Sequence, residues 1–317
     1  LFIKELIADI RFSQLPCMRK YALLLLLLVN SYLGYPQNNV NNLPQVLLRF
    51  DDIGMNHAVN TAIAEVAKTG MPFSASVMFA CPWYQEAVDI LKQYPNADVG
   101  VHLTLTAEWK NYRWGPVTGR SAVPSLVDSL GYFLPSTTAF QKHKYKLEEV
   151  EKELSAQIER AIGSGLKISY IDPHMGIALS TPQLRRLTEK LARKYKLGIS
   201  TLSEVTYFGE SYNDMWGEPV ASKKEAFLKV LDNLVPNNAN MVVLHIAHST
   251  PEMDAMNDMN SSMMSNNASQ HRQTELNMVL SPEFRGLVDK KFKLTTYRNL
   301  IKQFGLNNMK VTPAGKL

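Results

Sequence analysis

Cysteine is nearly absent: the 317-residue chain has only Cys17 and Cys81. With Cys17 ahead of the segment expected to start the protein proper, Cys81 stands alone. That excludes a disulfide framework and a cysteine-built zinc site. Charge of one sign is scarce too. Lys and Arg number 34 against 29 Asp and Glu, a net +5, of which +2 lies in residues 1–36. The +3 left for the body of the chain, with no dense basic run, excludes a nucleic-acid partner. Long apolar runs are missing: the longest, Tyr21–Val29, falls short of the about 20 residues that a membrane helix needs. There is no internal repeat. What remains is ordinary globular composition, 45% hydrophobic and 20% charged. The length suits one α/β barrel of roughly 250 residues.

The amino-terminal region carries its own signal. Met18-Arg19-Lys20 precedes Tyr21–Val29 and then Ser31-Tyr32-Leu33-Gly34. A basic start, a short apolar run and small residues read as a secretory signal over residues 18–36. An uncleaved anchor is the alternative. The expectation is a secreted or periplasmic protein with no stable membrane span after cleavage, residues 1–17 lying upstream. Asn-rich residues 37–45 read as a linker, and residues 46–317 as one domain. A homodimer is compatible with this reading.

Within that domain, Val46–Phe50 is a short apolar run suited to a buried strand. Asn56–Thr69 follows as a helix, capped by Asn56 and ended by Gly70. Strands are expected at Ser74–Phe79, Asp98–Thr106, Lys167–Ile171 and Met241–Leu244. Helices are expected at Trp83–Gln93, Leu147–Ile162, Thr181–Lys196, Lys223–Leu234, Ser281–Lys290 and Leu294–Phe304. Residues 107–146, aromatic and proline-rich, read as a functional loop or lid. Residues 249–270, rich in Asn, Ser and Met, read as a mobile loop. Strands alternating with helices imply a parallel sheet with crossover connections.

Asp51-Asp52, His102, His174 and His245 all fall at or near the carboxyl ends of predicted strands. In an α/β barrel those ends converge on one face, so residues distant in sequence can share a pocket. Asp52, His102 and His174 offer one oxygen and two imidazole nitrogens, the donor set of a catalytic divalent ion with an open position. Zinc is the first choice, with magnesium or another transition metal as alternatives. On a regular strand Asp51 and Asp52 point to opposite faces. A bend or bulge, eased by Gly54, brings both to the site, one as ligand and one as proton acceptor. His245 is the candidate general acid, with His248 three residues on as an alternative. Trp109 and Trp114 either pack the loop or stack on sugar faces. His57 reads as solvated, and His143 and His271 as surface residues. A capping role for the two aspartates is the bland alternative.

These residues resemble a known family. Arg49-Phe50-Asp51-Asp52-Ile53-Gly54 resembles the opening Asp-Asp-Phe-Gly of the YdjC-like (ChbG/HpnK) carbohydrate deacetylases. Gly100-Val101-His102-Leu103-Thr104-Leu105 is similar to their Gly-x-His-Leu-x-Leu strand. Ile171-Asp172-Pro173-His174-Met175 resembles their Asp-Ser-His segment, with Pro173 in place of Ser. Leu244-His245-Ile246-Ala247 is similar to the late His-Pro turn, without the proline. Arg272-x-x-Glu275-Leu276 is similar to the Arg-x-x-Glu-Leu that follows.

The resemblance runs in order from Val46 to the end of the chain, and it implies a distorted (β/α) barrel of the glycoside hydrolase/deacetylase type. It further implies removal of acetyl groups from N-acetylated amino sugars, with Asp52, His102 and His174 on a divalent metal, Asp51 as base and His245 as acid. Trp109, Tyr112, Arg113, Trp114 and Arg272 are the candidate substrate-binding residues. Residues 108–115 suggest a secreted bacterial subgroup. Two other readings stay open. One is a glycoside hydrolase pairing Asp51 with Glu108 without metal. The other is a non-catalytic carbohydrate-binding barrel.

Overall fold

The structure, a computed structural model, describes residues 43–203, 205–260 and 267–313. The expected signal segment and most of the expected linker lie outside the described residues, as do residues 261–266 of the Asn- and Met-rich loop. Among the described residues no helix is long and apolar enough to cross a membrane.

The first strand, β1 (Gln45–Ile53), is buried along almost its whole length. Burial on both faces is the mark of a central parallel strand, and it explains why Val46–Leu48 and Phe50 are apolar, with Arg49 the buried exception. Helix α1 (His57–Lys68) follows, with the Asn56 side chain accepting from the Val59 amide as its cap. Then come β2 (Phe73–Val77), α2 (Tyr84–Leu91) and β3 (Ala97–Leu103). After a long connection the chain continues through α3 (Thr137–Lys142), α4 (Leu147–Gly163), β4 (Ile168–Pro173), α5 (Pro182–Tyr195), β5 (Gly198–Ile199) and β6 (Glu210–Asp214). It closes with α6 (Lys223–Asp232), β7 (Ala239–Leu244), α7 (Pro251–Asp254), α8 (Ala268–Leu280), α9 (Pro282–Leu287), β8 (Lys293–Thr295) and α10 (Tyr297–Phe304).

The sheet order is β5-β4-β3-β2-β1-β7-β6, with every ladder parallel. β8 pairs with Gln45–Leu47 of β1, and β2 takes over from Arg49 onward. The sheet is curled. Arg49 on β1 donates to Ser200 Oγ at 2.7 Å and to the Thr201 carbonyl at 3.1 Å, just beyond β5. In a flat sheet β1 and β5 would stand about 19 Å apart, at about 4.8 Å per strand spacing, beyond an arginine's reach.

No ladder joins β5 to β6 among the described residues, so the fold is an open half-barrel. Tyr297 spans that seam: its hydroxyl donates to Glu210 Oε1 at 3.1 Å on β6 and accepts from the Thr201 amide at 2.8 Å beside β5. Its ring stacks on Tyr170 at 4.6 Å. Tyr170 in turn lies where a side chain at position 100 would be, only 2.4 Å from an ideal Cβ on Gly100.

Two expectations need correcting, and a third gains detail. Leu294–Phe304 is not one helix; its first residues form β8, and α10 starts at Tyr297. The 107–146 connection, expected as a functional loop or lid, is fastened to α4. Glu153 on α4 accepts from the Val117 and Thr118 amides, Glu149 accepts from the Ser125 amide, and Gln157 accepts from the amide and donates to the carbonyl of Thr104, just ahead of the connection. These residues are four apart, so they share one helix face and fasten the connection to it. Part of the expected 249–270 loop is helical, as α7 and the start of α8.

Candidate active site

The site begins with an irregularity in β1. Its register against β2 shifts between Phe50 and Ile53, and Asp52 takes a left-handed conformation at φ 64°. Aspartate tolerates that region better than most residues. The bulge puts both carboxylates into one cavity of about 450 Å³, together with His102, His174, Glu108, His245 and Arg272. Gly54, at φ 87°, completes the turn, and its amide donates to Asn60 Oδ1 at 2.8 Å.

Asp52 Oδ1 lies 3.3 Å from His102 Nε2 and 3.2 Å from His174 Nδ1, and those two nitrogens are 3.2 Å apart. The outer nitrogen of each ring faces a carboxylate: His102 Nδ1 is 2.7 Å from Asp172 Oδ2, and His174 Nε2 is 3.0 Å from Glu108 Oε2. Each carboxylate fixes the ring proton on the outer nitrogen and turns the inner lone pair toward Asp52. Three acceptors then face one another, and Asp52 Oδ1 is buried without a hydrogen-bond partner. Ligand atoms held about 2.0–2.2 Å from a tetrahedral ion stand roughly 3.3–3.6 Å apart, close to the observed triangle. The residues fit a divalent cation.

The electrostatics agree. Burial works against the charged form of His102, yet Asp172 and Asp51 outweigh it and raise its pKa to about 10. Burial likewise opposes His174, but Glu108 and Asp52 raise it to about 9. Burial alone would raise Asp52; Arg272 and the two histidines hold it well below the usual carboxylate range. The cluster carries more negative than positive charge and calls for a cation, as protons or as metal.

The two aspartates differ in their arginines. Arg49 forks both oxygens of Asp51, Nε to Oδ1 and Nη2 to Oδ2, each at 2.8 Å. Arg272 takes only Oδ2 of Asp52, at 2.5 Å, leaving Oδ1 free. A second grouping, Asp51 with His102 and Asp172, also has ligand atoms close together. There Arg49 already supplies the positive charge, with Nε 3.7 Å from Asp172, so the Asp52 set is the better metal centre.

Of the other expected residues, His245 lines the cavity, its ring against Trp216 at 5.0 Å. His248 does not; its Nε2 lies 3.5 Å from Glu65 on α1. Trp109 and Arg272 line the cavity, whereas Tyr112, Arg113 and Trp114 do not. The Tyr112 hydroxyl donates to the Met55 carbonyl. Arg113 bonds Asp128 and the Phe133 carbonyl. Trp114 is buried, donates to the Thr106 carbonyl and sets its edge against His174 at 6.1 Å. Trp114 follows the packing reading; Trp109 is equally buried but borders the cavity. His271, expected at the surface, is 5% exposed and faces Trp216. Lack of solvent and the neighbouring Lys223 and Arg272 lower its pKa to about 4.

Sequence reasoning gave no role to Asp172, Arg49 or Trp216, and considered Glu108 only as a glycosidase carboxylate. Asp172 had a usable signal in its place two residues before His174, at the end of a predicted strand; the structure makes it the register partner of His102. Glu108 is committed to His174.

Comparison with known proteins follows the same line. The profile of a family described as YdjC-like protein matches residues 45–290. A carbohydrate deacetylase of Brevibacillus brevis is 26% identical over 81% of this chain and 99% of its own length. Carbohydrate deacetylase 1 of Listeria innocua is 32% identical over 52% of this chain, a stretch that spans only 64% of that relative. A crystal structure from Enterococcus faecalis V583, provisionally described as a cellobiose-phosphate cleavage protein, superposes with a TM-score of 0.64. It is 24% identical, over 81% of this chain and 98% of that one.

Proposed function

Because this chain belongs to the YdjC-like protein family, we propose that it is a metal-dependent carbohydrate deacetylase that removes acetyl groups from N-acetylated amino sugars or oligosaccharides. The observation that carries the reading is the converging triangle of Asp52 Oδ1, His102 Nε2 and His174 Nδ1 beside the arginine-forked Asp51. The names of the Brevibacillus and Listeria relatives supply the reaction class.

In this reading Asp52, His102 and His174 hold the ion. Zinc is our first choice because two imidazoles and one carboxylate suit it, with magnesium or another transition metal as alternatives. Such an ion supplies Lewis acidity, polarising a carbonyl and lowering the pKa of a water. Asp51 takes a proton from the attacking water. Arg49 fixes the carboxylate's orientation by holding both of its oxygens. As water adds to the acetyl carbon, the carbon–nitrogen bond breaks, and His245 gives a proton to the departing nitrogen. The products are acetate and a free amine. Trp109 and Arg272 form part of the wall that receives the sugar.

We further place the mature protein outside the cytoplasm, on the strength of the Met18–Gly34 pattern; fractionation of the native host would find it in the extracytoplasmic fraction.

The deciding experiment combines metal analysis of purified protein with acetate release from N-acetylated glycans. His102→Ala abolishes both metal binding and acetate release. Full activity in that variant, or after chelation, removes the metal from the reading. Cleavage between sugars without acetate release would favour a glycoside hydrolase instead.

A further inference from the structure

Lys223 and Glu275 are both fully buried, and their side chains meet at 2.5 Å. Neither touches the metal set, and the deacetylase chemistry leaves both without a task. Their remaining bonds run to the two segments that carry cavity residues. Lys223 Nζ donates at 2.7 Å to the carbonyl of Met215, the residue before Trp216. Glu275 Oε2 accepts the backbone amide of His245 at 2.5 Å. Glu275 lies three residues after Arg272 on α8, so one helix face presents Arg272 to Asp52 and Glu275 to His245.

Trp216 is enclosed by the same group. His245 packs on it at 5.0 Å, the Arg272 guanidinium at 5.1 Å and His271 at 5.7 Å. His245 lacks the support that the metal histidines have: its Nδ1 is buried without a hydrogen-bond partner. Its place is set from behind, through its backbone and through the indole.

We propose that the buried Lys223–Glu275 pair is a positioning device that fixes His245 and Trp216 at the cavity wall. The inference rests on the deacetylase reading. A buried ion pair is a poor source of stability, because desolvation offsets most of its attraction. What this pair supplies is two fixed backbone anchors, one beside each cavity residue.

The test is a double-mutant cycle on acetate release, with Glu275→Gln, His245→Ala and their combination. Misplacement of a reacting group by about 1 Å can cost about a hundredfold. The expected loss in kcat for Glu275→Gln is therefore about tenfold to a hundredfold, with KM within about twofold. The combined variant is expected to be no slower than His245→Ala alone. Multiplicative losses, or unchanged kcat in Glu275→Gln, overturn the proposal. If Glu275→Gln does not fold because Lys223 is left unpaired, Lys223→Met/Glu275→Leu removes both charges and replaces it in the cycle.

A second readout does not depend on turnover. The His245 ring gives one sharp set of nuclear magnetic resonance signals in the wild type, and broadened or doubled signals in the variant. Unchanged ring signals overturn the proposal. If the wild type releases no acetate from any N-acetylated glycan, the deacetylase reading falls, and the ring signals alone decide whether the pair positions His245.

Discussion

Asp51 and Asp52 carry the same side chain one residue apart, and their arginines separate them. Arg49 occupies both oxygens of Asp51, whereas Arg272 leaves Asp52 Oδ1 open toward the two histidines. The histidines are defined in the same way, by what stands behind them. Because Asp172 fixes the proton of His102 on Nδ1, replacing it weakens the lone pair aimed at the ion. Asp172→Asn is expected to lower metal affinity about tenfold to a hundredfold without abolishing it; metal titration with a competing chelator reads this directly. Gly100 makes a different kind of residue-level claim. An alanine Cβ there would meet the Tyr170 ring at 2.4 Å. Tyr170 is held by the Tyr297 stack and a hydrogen bond to Ser76, so it has little room to move. Gly100→Ala is expected to cost about 1–3 kcal/mol in denaturant unfolding.

At the level of elements, legibility in the sequence followed hydrophobic pattern. β1, β3, β4, β7, α1 and α5 were all readable because each carries an apolar run or stripe, sharpened in α1 by the Asn56 cap. The metal residues were readable because they sit at the ends of those strands. Two missed elements, β6 and α8, share one cause: polar residues among those they bury. β6 is Glu-Ser-Tyr-Asn-Asp, and Glu210 on it is buried to meet Tyr297. α8 buries Ser269, His271, Arg272 and Glu275 beside apolar residues, so no stripe marks it. Similarly, the stripe of α4 pointed to Val150, Leu154 and Ile158, while Glu149, Glu153 and Gln157 are buried on the same helix. Those polar residues do the fastening. Glu153 satisfies two part-buried backbone amides, and a hydrogen bond of a charged acceptor contributes about 1.5–3 kcal/mol. Glu153→Ala is therefore expected to destabilise the protein by about 2–5 kcal/mol and to expose the 107–146 connection to proteolysis ahead of global unfolding. Limited proteolysis of wild type and variant would show it; an unchanged cleavage pattern would refute the anchoring role.

For the whole molecule, an open half-barrel places a cluster of buried charges at one end of its sheet, and that cluster couples folding to both protons and metal. In the metal-free protein His102 and His174 are raised to about 10 and about 9, from 6.5 in the unfolded chain. Between those values the folded form holds more protons than the unfolded form, so stability falls as pH rises. The contribution is complete below about pH 6.5 and is lost as pH climbs through about 9 and then about 10. An ion bound to Asp52, His102 and His174 replaces those protons, so its affinity rises over the same window. It also stabilises the fold by mass action, because it binds only the assembled triangle. The two forms are thus expected to diverge. The Tm of metal-free protein falls from about pH 7 to pH 9, and the Tm of metal-loaded protein stays nearly level, so the gap between them widens with pH. Thermal scans of both forms across that range decide the matter. Parallel curves would mean that metal and protons do not compete for these two rings, and the triangle would then not be the metal centre.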